Sequence, residues 1–189
     1  MKNRDVIIAY IIITSIFIIG VILSFNRYSF AGYYTDKVIN WLWLASTLFT
    51  IIWFWKKKAA KIYGALLVSF VCLSIVPMAI PFFGIVYYFS TIDDFQQIQL
   101  DAPYRIERTI PAALSRAKIL VYKNEGLLER QVYETPYEQI LERKFPDLNN
   151  INLPIQNATL VDSEKDSLGI EYRINNKKKV FYHKENNPF

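Results

Sequence analysis

Between Val6 and Phe89 the chain is apolar except at two short breaks, residues 27–37 and 56–61, which hold every charged residue of that range. The stretches they separate are residues 6–25, 38–55 and 62–89. Each reaches, or nearly reaches, the roughly 20 helical residues that cross about 30 Å of hydrocarbon at about 1.5 Å per residue. From about Ser90 onward this pattern stops. The expected architecture is therefore a membrane all-α region of three transmembrane helices in residues 1–92, with spans of about 6–25, 38–55 and 62–89. A small soluble α+β domain follows in residues 93–189, with an antiparallel sheet and one helix.

The tail shows a period of two. Ile98, Leu100, Ala102, Tyr104 and Ile106 alternate with Gln99, Asp101, Pro103, Arg105 and Glu107, which predicts a strand with one buried face. Pro103 has no amide donor and places that strand at an edge or a bulge. Residues 117–123 and 127–134 are rich in Ile, Val, Leu and Tyr, and Asn124-Glu125-Gly126 between them predicts a hairpin. A second hairpin is expected from residues 167–174 and 179–184 around Asn175-Asn176, with a short strand at 158–162 before it. The Lys177-Lys178-Lys179 run reads as turn and edge protection.

One helix interrupts the strands. Thr135-Pro136-Tyr137-Glu138 has the order of a capping box, with Thr135 as N-cap, proline at the first helical position and Glu138 reaching back to a free backbone donor. Ile140, Leu141 and Phe145 supply its apolar face, Pro146 ends it, and residues 147–156 read as a loop.

In the third apolar run Pro77 and Pro81 stand one turn apart. Each removes a helical hydrogen bond, so a kink or break is expected near residues 76–80. A run of 28 residues would also form a helix of about 42 Å, longer than the hydrocarbon core.

Charge gives the membrane region a direction. Residues 1–90 hold 8 basic and 2 acidic side chains, whereas residues 91–189 hold 14 and 15. The excess behind the net +5 thus flanks the apolar runs, where it orients spans and attracts anionic headgroups. A nucleic-acid partner would need the basic surface on the soluble part, and none is expected. Lys56, Lys57, Lys58 and Lys61 crowd the second break with no acid, while the first holds Arg27 and Lys37 beside Asp36. The positive-inside rule puts the second loop, and with it Lys2 and Arg4, in the cytoplasm of a bacterial-type inner or plasma membrane. The tail then lies outside. Trp53 and Trp55 beside the lysines, and Trp41 and Trp43 at the opposite end, read as interface belts.

Ser29-Phe30-Ala31 has spacing suited to signal cleavage before Gly32, but about 20 apolar residues exceed the usual 7–15 of a signal core, and an uncleaved anchor is expected. Cys72 lies in the third run and acts as a small hydrophobe. Without exported cysteines the outer domain relies on its core.

Candidate chemistry is sparse. No ionisable residue sits inside a span, where a transport route would place one. Thr14, Ser15, Ser46, Thr47, Thr50, Ser69 and Ser74 suit bonds to their own helix backbone, and Asn40 stands near a span end. The single His183 reads as an edge-strand surface residue in a fraying terminus. Asp162, Glu164 and Asp166 lack the Gly and twelfth-position acid of an EF-hand. Asn157-Ala158-Thr159 matches a glycosylation acceptor. No catalytic residue, cofactor or metal is expected. The expected role is a non-enzymatic membrane protein displaying a protein-binding domain, with the lipid bilayer and a protein as partners. The alternatives are an accessory subunit acting through its helices and an immunity-type membrane protein.

Overall fold

The computed structural model describes residues 3–75, 80–90, 94–101, 103–111, 116–148, 150, 152–163 and 167–184. The chain divides into two compact units, residues 1–26 with 32–91, and residues 27–31 with 92–189.

The first unit is helical: α1 Asn3–Phe25, α2 Thr35–Trp53, α3 Lys58–Ile75 and α4 Ile80–Phe89. Helices α1 and α3 are long and apolar enough to cross a membrane, and only 6% of each apolar window is buried. A core helix of a water-soluble protein would turn its apolar side inward; α1 instead leaves Ile8, Ile11, Ile18 and Ile22 exposed together on one face. Several hydroxyls bond their own helix, as Ser15 donates to the Ile11 carbonyl, Ser46 to Trp43, Thr50 to Ser46 and Ser74 to Val71, whereas the buried Thr14 Oγ1 has no such partner. Thr47 differs: it is buried and shares a bond of 3.2 Å with Tyr10, whose hydroxyl lies 2.6 Å from that of Tyr63.

In the third apolar run the described residues form α3 up to Ile75 and α4 from Ile80, and the break expected near residues 76–80 falls on residues that lie mostly outside the described ones. Pro81 stands in the first described turn of α4. Pro77 lies outside the described residues. The carbonyls that end α4 are held from α2: Lys37 Nζ donates to Tyr87 at 2.8 Å and Asn40 Nδ2 to Tyr88 at 2.9 Å. A cation at a helix C-terminus also opposes its dipole.

The second unit contains β1 Tyr28–Phe30, β2 Asp94–Gln99, β3 Tyr104–Thr109, β4 Lys118–Asn124, β5 Leu128–Pro136, α5 Tyr137–Lys144, β6 Ile155–Ser163, β7 Ser167–Ile174 and β8 Lys177–Lys184. It has two antiparallel sheets rather than one, ordered β1-β5-β4-β3-β2 and β6-β7-β8. Ile106, Ile119 and Val121 of the first, Ile170 and Ile174 of the second, and Ile140 of α5 belong to one buried core. Strand β6 begins at Ile155, inside the segment expected as loop.

Three expectations need correction here. The alternation over residues 98–107 is not one strand: it runs through a hairpin in which Ile98 lies opposite Ile106. Directly opposed residues point to the same face, so an even spacing across the turn preserves the alternation. Pro103 lies in that turn, where the Tyr104 amide donates to Asp101 at 3.1 Å. The capping box does not form. Thr135 is in β5 opposite Ile119, α5 starts at Tyr137 after Pro136, and no side chain caps it. The Thr135 hydroxyl is engaged elsewhere, and Glu138 faces Arg116 at 3.4 Å. Finally, β1 had no expected counterpart: Tyr28, Ser29 and Phe30 pair with Arg130, Glu129 and Leu128.

The two later hairpins form as expected. Asn175 and Asn176 both adopt positive φ, at 47° and 62°, the pattern of a two-residue turn that matches strand twist. At the β4–β5 turn, Gly126 takes φ 94° and its amide donates to Asn124 Oδ1 at 2.8 Å.

Candidate functional site

Polar groups gather at three places in the second unit. In the first, β8 carries His183 inward, fully buried rather than exposed at a fraying edge. Its Nδ1 lies 2.8 Å from Thr135 Oγ1, and its Nε2 lies 2.7 Å from the Tyr172 hydroxyl. The rings of Phe181, Tyr133 and Tyr172 surround it. Burial lowers its pKa to about 4, so the imidazole is neutral at pH 7. One nitrogen donates and the other accepts, and each hydroxyl can take the complementary role. This Thr-His-Tyr chain is sealed from solvent and joins β5 to β7 and β8.

The second place centres on Arg108, also buried. Its guanidinium lies 3.7 Å from the Tyr137 ring centre and 4.6 Å from that of Phe95. Nη1 donates to the Leu153 carbonyl at 2.5 Å and to Gln96 Oε1 at 3.3 Å. The Tyr137 hydroxyl donates to the same carbonyl at 2.8 Å. A planar cation with a stacked ring on one face and carbonyl acceptors at its rim suits arginine rather than lysine.

The third lies on the other face of the five-stranded sheet. Arg105 bonds Glu129 through Nε at 2.8 Å and Nη2 at 2.7 Å, and Glu107 through Nη1 at 3.1 Å. Its guanidinium stacks on the Tyr122 ring at 4.1 Å. The side chains of Arg105, Glu107 and Glu129 are only 12%, 13% and 5% exposed. Burial, then the nearby Asp94 carboxylate, raises the Glu107 pKa from 4.5 to about 7, while Arg105 pulls it down. Glu107 therefore keeps its proton to near neutrality. Burial also raises Tyr122 well beyond the ordinary tyrosine range.

The orientation and belt residues fall as follows. Arg4 is in the first turn of α1, and Lys2 lies outside the described residues. Lys56 and Lys57 follow α2, while Lys58 and Lys61 open α3. Lys57 lies over the Phe54 ring and Lys61 over Trp55. Trp41, Trp53 and Trp55 are exposed, and Trp53 Nε1 donates to Asn3 Oδ1 at 3.1 Å. Trp43 differs in that it stacks on Phe17 at 4.2 Å and its Nε1 is buried.

Asp162 and Asn157 are both in β6, and Glu164 and Asp166 lie outside the described residues. Among the described residues no three His, Cys, Asp or Glu side chains converge to hold a metal ion. Sequence reasoning missed Arg108 and the Asp94–Glu107 pair. Both depend on the β2–β3 register, which the misassigned single strand concealed. No protein-family model, curated protein or solved structure is significantly similar to the chain.

Proposed function

We propose that this chain is an integral membrane protein of three spans, about residues 6–25, 38–55 and 62–89, displaying its α+β unit outside the cytoplasm to bind a protein partner. The observation that carries this reading is β1. Residues 27–31 separate two apolar helices yet belong to the same folded unit as residues 92–189. A unit that folds as one lies on one side of a membrane, so the chain between Gly32 and Thr91 crosses an even number of times. Two crossings, by α2 and by α3 with α4, match the three apolar runs. The exposed Val38, Trp41, Leu48 and Ile52 of α2 support a lipid-facing second span. The lysines at 56–58 and 61 support a cytoplasmic second loop.

A binding role rather than catalysis is favoured by the state of the lone histidine, which has both nitrogens engaged and no access to a substrate. Contact surface is at hand on the three-stranded sheet, where Tyr182 and Val161 are exposed. Reporter fusions after Phe189 and near Lys58 test the layout: a reporter active only outside the cytoplasm is expected to work at the first site alone. The reverse result overturns the orientation. A photo-crosslinking residue in place of Tyr182 in the full chain then tests the partner. Rescue of function by residues 1–92 alone would transfer the role to the helices.

A further inference from the structure

The tip of the β4–β5 hairpin carries a side chain that the core does not use. Leu127 is 88% exposed, the most exposed large apolar residue among those described. It follows Gly126 and precedes Leu128, which lies opposite Phe30 of β1. The Ala31 amide donates to the Leu127 carbonyl at 2.9 Å, so the tip is hydrogen-bonded to the short segment between α1 and α2. That segment is tightly tethered. Asn26 and Arg27 alone separate Phe25 of α1 from β1, and four residues, 31–34, separate β1 from α2. At about 3.5 Å per extended residue, these linkers reach at most roughly 7 and 14 Å. The polar layer flanking the hydrocarbon core is itself about 5–8 Å thick on each side.

The charges beside the tip are mixed: Glu125 stands in the turn, Glu129 is bonded to Arg105, and two basic side chains face each other just behind them. Lys123 lies directly opposite Arg130 in the β4–β5 register, and neither has an ion pair among the described residues. Like charges facing each other across a sheet are unfavourable in water, and an anionic surface relieves them. An apolar side chain at a turn, backed by a facing Lys–Arg pair that outweighs the one acid of the turn and tied to two span ends, is an arrangement for the lipid interface.

We infer that the β4–β5 hairpin tip docks into the headgroup layer of the membrane, with Leu127 entering the acyl boundary and Lys123 and Arg130 meeting anionic lipid phosphates. The inference rests on the three-span reading above. Docking there would hold the displayed unit at a fixed attitude to the bilayer, independently of any protein partner.

The single Cys72 makes the test direct. In a C72S background, Leu127→Cys and, as a control on the other sheet, Val161→Cys are labelled with an environment-sensitive fluorophore. The full chain is reconstituted in phosphatidylcholine–phosphatidylglycerol vesicles. The label at 127 is expected to emit at shorter wavelength than the label at 161 and to be quenched by headgroup-linked spin labels. Omitting phosphatidylglycerol is expected to weaken that quenching. A label at 127 that emits as in water, on protein that resists alkaline extraction from the vesicles, overturns the docking and leaves the spans standing. Protein released by alkali overturns the spans and the docking with them.

Discussion

The carboxamide of Gln96 holds both main-chain groups of Ile155: Nε2 donates to the carbonyl at 3.0 Å, and Oε1 accepts from the amide at 2.8 Å. A side chain thus substitutes for a strand neighbour, joining β2 of one sheet to β6 of the other. The same Oε1 also accepts from buried Arg108. Gln96→Leu would keep the volume but leave these buried groups without their partner, which costs about 1–3 kcal/mol per unsatisfied group. We expect the variant to lose on the order of 3 kcal/mol and Gln96→Glu to lose more at high pH, where a carboxylate cannot donate. Amide hydrogen exchange of β6 in the full chain measures both.

The other sheet-to-sheet link gives a graded series. Thr135→Val removes the hydroxyl that meets His183 Nδ1 with little change of shape, and a loss of about 1–2 kcal/mol is expected. His183→Ala removes both bonds and opens a cavity among Phe181, Tyr133 and Tyr172, with an expected loss of about 3–5 kcal/mol. The sign of the pH effect follows from the lowered pKa. Neutral His183 contributes stability that is complete above 6.5 and is lost as pH falls toward about 4. Acid unfolding followed by tyrosine near-ultraviolet dichroism should show a shallower dependence in this window for His183→Gln.

How much of this was legible in the residues depends on the distance over which each feature is set. The two turns with Gly126 and Asn175-Asn176 were legible because the backbone conformation is written in the turn residues themselves. The apolar runs were legible for the same local reason. Strand β1 was not, since Tyr28-Ser29-Phe30 has no periodicity to read and its partner, Leu128–Arg130, is about a hundred residues away. Thr135 shows local and tertiary signals competing. Its capping-box sequence is real, but pairing with Ile119 and the bond to His183 use the residue as a strand member. His183 misled because position near a terminus says little when a strand pairs fully: Leu168 lies directly opposite it in β7.

Glu107 predicts a pH dependence of opposite sign. Its pKa is raised from 4.5 to about 7, so its contribution is complete below 4.5 and is lost as pH rises through 7. Glutamine resembles the protonated acid, able to donate to Asp94 while accepting from Arg105. Glu107→Gln should therefore match the parent chain at pH 4.5 and exceed it by on the order of 2 kcal/mol at pH 8. Hydrogen exchange of β3 and β4 amides at the two pH values gives the comparison, and equal gains at both would contradict the raised Glu107 pKa.

The loop strand can be tested without touching a helix. Ala31 donates its amide to Leu127, and Gln131 donates to the Arg27 carbonyl, so these bonds close the two ends of the β1–β5 pairing. Ala31→Pro removes the first donor and sits where the following residue, Gly32, already takes φ 96°. Loss of one ladder bond at an edge should cost about 1–2 kcal/mol locally. It should raise exchange at Leu128–Arg130 while leaving β7 unchanged. If the sheet forms only through this loop, the fragment 92–189 should show the same loosening at β5, and supplying a peptide of residues 26–32 should reverse it. A fragment with β5 protection equal to that of the full chain would show that β1 is an adornment of the sheet rather than part of what holds it.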